Sequence, residues 1–245
     1  MYQTCEEFRK FYYSRSGWVI KRILQANLKR HTDNNLKCEL AIGTGYSLPY
    51  MRVLTEAAQS QFAFIPSQFG EAIWPRFSKN KTASVATSQM PIASGSVDLI
   101  LATHFLEFSE YPEYALQELY RILKGEGRVL LLVPNRMSIW SRRDWSPFGH
   151  GQPYSILQLR KLVTDAKFEI MDEHTALFML PFHSRFFIKA AWTFERFGQL
   201  LFGGMGGVHV LELKKKVYAP TQDKGSAVPV GVKKKSAPVA GNARI

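Results

Sequence analysis

Two runs that are apolar but for Asp98 and Arg128 near their starts and Thr103 at the end of the first, residues 97–103 and 128–133, constrain this chain more than anything else in it. A strand with one face in water alternates apolar and polar residues, whereas a strand buried on both faces reads as a continuous run. Between the two runs, residues 111–123 carry Tyr114, Ala115, Leu119, Ile122 and Leu123 at helical spacing. Strand, helix and strand in that order, with both strands buried, predict a parallel sheet covered by helices on both faces.

The rest of the chain extends the pattern. Residues 36–42 read as a short buried strand running into Gly43-Thr44-Gly45, residues 61–65 as a second stopped by Pro66-Ser67, and 83–86 as a weaker third. Upstream, Phe8, Phe11, Tyr12, Val19, Ile23 and Leu28 recur at helical spacing over residues 5–30, with Gly17 as a candidate break. Ser47 is expected to cap a helix starting near Pro49, and an aromatic-rich helix is expected around residues 69–74. Lys124-Gly125-Glu126-Gly127 reads as the end of the 111–123 helix. Ser155 and Gln158 form a capping-box pattern for a helix to about Ala166. Residues 168–177 and 208–218 read as two last strands, joined by an amphipathic segment over 184–202. The expected organisation is an N-terminal helical region (1–35), an α/β domain (36–218) and a basic disordered tail (219–245).

Charge narrows the partners. The formal charge is +12, but eight basic residues against one acid, Asp223, fall between Lys214 and Ile245. That end carries +7 of the total, so the basicity does not describe a nucleic-acid-binding core. Cys5 and Cys38 are too few for a CxxC-type zinc cage or a disulfide framework. No apolar run reaches the roughly 18 residues of a membrane-spanning helix, and the N-terminus lacks a secretory pattern. The expected compartment is the cytoplasm. Phe186, Phe187, Ala190, Phe194, Phe197 and Leu201 form a helical stripe, read first as core, then as a dimer contact, and third as a peripheral membrane contact.

The segment from Met90 to Asn135 is the most specific. It contains Met90-Pro91, then Ser94-Gly95-Ser96-Val97-Asp98-Leu99-Ile100-Leu101, His104-Phe105-Leu106-Glu107, Glu118 through Arg128, and Val133-Pro134-Asn135. This run resembles the class I S-adenosylmethionine (SAM)-dependent methyltransferases, in particular the quinone-biosynthesis C-methyltransferase-like subset. The resemblance is good over residues 36–135 and looser to 218. It implies a Rossmann-like sheet of seven strands, with 208–218 antiparallel and inserted between the fifth strand and residues 168–177. It implies SAM as cofactor, with Gly43, Thr44, Gly45, Tyr46, Ile65, Gln89 and Met90 as the residues around it. Phe64, Ile65 and Met90 would hold the adenine. His104 and His150 are the candidates for the acceptor end, because both lie in loops at strand carboxyl ends, where such sheets bind ligands. The implied acceptor is a small or lipid-like molecule.

The cofactor motif is degenerate. Gly43 and Gly45 match the family's glycine turn, but Ala41 stands where a carboxylate is expected and Ser47 where a third glycine is. Pro66 and Ala86 fall at two further positions that are normally acidic. Glu39, two residues before Ala41, shares its face of the strand one pleat back and is the nearest substitute. A carboxylate accepts two hydrogen bonds from a diol, and each charge-assisted bond lost costs on the order of 1.5–3 kcal/mol. A dinucleotide fingerprint fares worse, because Leu48 stands where its third glycine belongs. The alternative reading is a methyltransferase-fold protein that has lost catalysis and serves as a binding or regulatory module.

Overall fold

A computed structural model describes residues 4–32, 38–181 and 188–216. The chain enters through α1 (Cys5–Tyr13), whose N-terminus is closed by a reciprocal capping box between Thr4 and Glu7. It turns at Ser14 into α2 (Arg15–Thr32). The break expected near Gly17 therefore lies three residues earlier. Gly17 serves the elbow differently: a Cβ there would sit 2.0 Å from the Phe11 carbonyl oxygen, so only glycine lets the two helices approach this closely.

The sheet then forms from β1 (Cys38–Gly45), β2 (Ala58–Pro66), β3 (Thr82–Val85), β4 (Val97–Thr103), β5 (Leu123–Pro134), β6 (Phe168–Ala176) and β7 (Val208–Lys215). Their order is β3-β2-β1-β4-β5-β7-β6, and β7 runs antiparallel to both neighbours. This is the seven-stranded topology the sequence predicts, with residues 217 and 218 of the expected last strand outside the described residues.

Alternate side chains of the continuous strands go to opposite faces, as their composition requires. Leu99 and Leu101 join one core cluster with Phe8, Ile20, Ile23, Leu24 and Leu54; Ile100 and Ala102 join the other with Leu116, Leu119 and Leu159. The first face is covered by α1, α2, α3 (Met51–Ala57) and α6 (Ala191–Leu201), the second by α4 (Pro112–Ile122) and α5 (Ile156–Asp165).

Four local expectations are corrected. Ser47 makes no side-chain cap; it precedes a 3-10 turn (Leu48–Tyr50), and its buried hydroxyl donates to Met51 Sδ instead. Residues 69–74 do not form a helix: a 3-10 turn (Ser67–Phe69) ends at Gly70, whose φ of 77° leaves helical space. Gly125 and Gly127 cap nothing, because α4 passes at Leu123 directly into β5. In the stripe, Phe197 and Leu201 are 60% and 66% exposed rather than core. The face of α6 turned inward is Ala191, Glu195 and Gly198; a Cβ on Gly198 would lie 2.3 Å from Phe178 Cβ, and Glu195 accepts from the backbone amides of Leu177 and Phe178. Phe186 and Phe187 lie outside the described residues.

Candidate functional site

The order of the sheet reverses between β1 and β4, and in open α/β sheets ligands bind outside the strand ends at that point. Here the two ends are tied together. Tyr46 N–H donates to the Thr103 carbonyl (2.8 Å), and Thr103 Oγ1 donates back to the Tyr46 carbonyl (3.0 Å). Gly45 makes this approach possible: its φ is 71°, and a Cβ would lie 2.2 Å from the Thr103 carbonyl oxygen.

His104 follows at once, in the left-handed region at φ 50°, an uncommon conformation for a residue other than glycine. Its ring is 3% exposed. Nδ1 lies 3.0 Å from Glu107 Oε1 and Nε2 lies 2.6 Å from the Tyr12 hydroxyl, which accepts in turn from Tyr50 (2.9 Å). In the tautomer where Nδ1 donates to the Glu107 carboxylate, Nε2 is free to accept the proton offered by Tyr12. Burial pushes the Tyr12 phenol well above the usual tyrosine range, helped by Tyr50, and this keeps the proton on oxygen. The other Glu107 oxygen, Oε2, is buried with no hydrogen-bond partner, as is Thr44 Oγ1.

Helix α1 closes this site from above. The Phe8 ring stacks on Tyr46 with centroids 4.6 Å apart, and it also packs on His104, Phe69 and Phe108 at 5.0–5.6 Å. What remains beneath is a cavity of about 10 Å³ bounded by Tyr50, Thr103, His104, Glu107 and Phe148. One water is the most it holds.

The remaining sequence candidates fall as follows. Gly43 is no open cradle, since a Cβ there would meet Ser47 Oγ at 2.2 Å and Met51 Sδ at 2.4 Å. Ile65 faces the α1 side of the sheet, whereas Phe64 and Met90 belong to the opposite core, so the three do not grip one ring together. Gln89 is exposed in a turn bridged to Ala86, and the Met90 amide donates to Glu118 Oε1 (2.6 Å). His150 bonds through Nε2 to the Asp144 carbonyl (2.6 Å) within its own loop. That loop still touches the site, because Gly151 packs on the Glu107 backbone and Gln152 N–H donates to the Glu107 carbonyl (2.7 Å).

Glu107 is buried against His104, away from Asp98. Asp98 is structural, accepting from the Glu39 and Leu40 amides at 3.0 Å each and pairing with Lys124 at 2.8 Å. Glu39 does not replace the carboxylate absent at Ala41, because its side chain is largely exposed and pairs with Lys124 (3.1 Å). In this capped form the residues present do not fit SAM. Ala41 is wholly buried, β2 ends in Ile65-Pro66, and the free volume is far below the ~300 Å³ that small-molecule pockets begin at. Tyr12, Tyr50 and Phe8 are the residues that sequence reasoning did not assign to the site. Helical spacing marked Phe8 and Tyr12 only as an apolar face, and Tyr50 was not singled out.

Residues 38–131 match the profile of a family described as "Methyltransferase domain". Among solved structures, the chain is similar to a SAM-dependent methyltransferase from Thermotoga maritima (18% identity, 86% of this chain and 95% of that one, TM-score 0.60). It is also similar to a methyltransferase of Haloferax volcanii seen in complex with the Trm112 methyltransferase activator (13% identity, 87% and 98%, TM-score 0.60). The [4+2]-cyclase SpnF shares the fold as well (17% identity, 81% and 82%, TM-score 0.53). No curated protein matches the chain by sequence.

Proposed function

We infer that this chain, whose residues 38–131 match the profile of a methyltransferase domain, is a class I SAM-dependent methyltransferase held in a capped form, acting on a small or lipid-like acceptor once α1 lifts. The observation that carries this reading is Glu107 Oε2, a buried carboxylate oxygen without a partner at the mouth of the crevice. Burying such an atom costs free energy that packing alone does not return, and orphaned or strained groups gather where a ligand completes them. His104, in its strained conformation between Tyr12 and Glu107, holds a proton at the acceptor end. Phe8 excludes water until it moves.

A second reading has its own support. The carboxylates missing at Ala41, Pro66 and Ala86, together with the filled space beside Gly43, favour a non-catalytic module. Calorimetry with SAM on the full chain and on Phe8→Ala separates the two. Saturable SAM binding, tighter in Phe8→Ala, supports a capped enzyme. Absence of binding in both at millimolar SAM overturns it and leaves the module.

A further inference from the structure

On the covered face at the far edge of the sheet, His31, Asp172 and His174 each place one ligand atom within 4.8 Å of the others'. His31 comes from the last turn of α2; Asp172 and His174 are two apart on β6 and so share a face. We propose that these three side chains form a binding site for a divalent cation of the zinc class, which pins α2 to the sheet.

The support for His31 is already built. His31 Nδ1 lies 2.8 Å from Glu212 Oε2, and Glu212 is held in turn by Arg128 (2.7 Å). A carboxylate on one ring nitrogen fixes the tautomer and aims the other nitrogen, as in carboxylate–histidine–metal arrangements. The aimed atom here is Nε2, which is buried without a hydrogen-bond partner in a side chain only 8% exposed. It lies 3.7 Å from Asp172 Oδ2, and the same oxygen lies 2.9 Å from His174 Nδ1. Ligand atoms around a tetrahedral ion with bonds of about 2.0–2.2 Å stand about 3.3–3.6 Å apart. These two spacings lie within about half an ångström of that range; the His31 and His174 rings stack with planes 10° apart, so one ring turns for both to reach a shared ion, and Asp172, half exposed, has room to adjust. Two imidazoles with one carboxylate suit zinc and its neighbours better than calcium or magnesium. A cavity of about 390 Å³, lined by His174 together with Arg30, Glu173, Thr175 and His209, adjoins the cluster on its His174 side.

Because α2 leads back through the Gly17 elbow to α1, a bound ion also steadies the helix pair that carries Phe8. The site does not depend on what the crevice binds.

The test uses the tag-free full chain, stripped with chelator and titrated with Zn²⁺ against a chromogenic competitor. One Zn²⁺ per chain is expected. Asp172→Asn, His31→Ala and His174→Ala should each weaken it at least about tenfold, and Glu212→Gln by the 10–100-fold typical of an outer-shell loss. Zn²⁺ should raise the melting temperature of the parent and not of Asp172→Asn, a half-exposed position whose change leaves the fold in place. Cobalt substitution should show no thiolate charge-transfer band, which separates this site from Cys5 or Cys38. No binding by the parent, or binding retained in the His31→Ala/His174→Ala double variant, overturns the proposal and leaves a hydrogen-bonded cluster only.

Discussion

Phe8 and Tyr46 lie ring on ring, 4.6 Å between centroids and 18° between planes, so that the first helix of the chain rests on the turn that ends its first strand. Phe8 is completely buried, and its partners come from two loops, Phe69 from the one after β2 and His104 and Phe108 from the one after β4. One side chain thus anchors the cap.

Phe8→Ala should therefore destabilise the protein by about 3–5 kcal/mol, the usual cost of truncating a buried phenylalanine. Phe77→Ala, at a side chain 93% exposed, should stay within about 0.5 kcal/mol of the parent. Urea unfolding of both variants checks the contrast. Equal midpoints would mean that α1 is not packed as described.

Gly45 invites a different experiment from the one its motif suggests. As a cofactor glycine, it predicts that valine blocks SAM and spares the fold. The structure predicts the opposite order of effects, since any Cβ collides with the backbone of Thr103 and the positive φ adds strain of about 1–2 kcal/mol. Gly95, with φ 63° and open space around it, isolates the strain alone. Gly95→Ala should cost about 1 kcal/mol and Gly45→Ala clearly more. Denaturation curves showing equal losses would place Gly45 outside the β1–β4 tie.

Asp98 sets a pH signature. Burial raises its pKa, but Lys124 and the amides of Leu40 and Glu39 outweigh burial and hold the carboxyl below its ordinary value. A depressed carboxyl adds stability that is present above the unfolded value, near pH 4, and is lost as pH falls through the folded one. Asp98→Asn should cost about 1–2 kcal/mol at pH 7, and the difference should shrink toward zero as the parent is acidified below pH 4. A gap unchanged by acid would assign the effect to packing rather than charge.

How much of this was legible beforehand follows from range. Val97–Thr103 announced its burial on both faces because strand composition is a local consequence of layer architecture. Ser155 announced its helix because a capping box closes within four residues. The site was harder. His104 was visible as a residue at a strand end, but its partners Tyr12 and Tyr50 stand 92 and 54 positions away, and helical spacing gives an aromatic no polar role. Ser47 misled because its hydroxyl could accept from a helix-start amide or donate to Met51 Sδ, and tertiary packing chose the second. The stripe on α6 misled because Glu195, a charged residue, turned out to make the inward contact.

The proton line through His104 gives the last test. Tyr50 donates to Tyr12, Tyr12 to Nε2, and Nδ1 to Glu107, so each donor has one direction. Tyr12→Phe removes the donor to Nε2 and should cost about 1–3 kcal/mol, since it leaves a buried ring nitrogen unsatisfied. Glu107→Gln allows the new amide to donate toward Nδ1. The imidazole then takes the other tautomer, with its proton on Nε2 facing Tyr12, and the line reverses. Two changes that act through one ring should not add. A double-mutant cycle of Tyr12→Phe and Glu107→Gln, read by urea unfolding at pH 7, should give a coupling energy of about 0.5–3 kcal/mol although the two side chains bond only through His104. The same cycle in a His104→Asn background should lose that coupling. Additivity within about 0.3–0.5 kcal/mol in the parent background would break the line and leave Tyr12 a packing residue of α1.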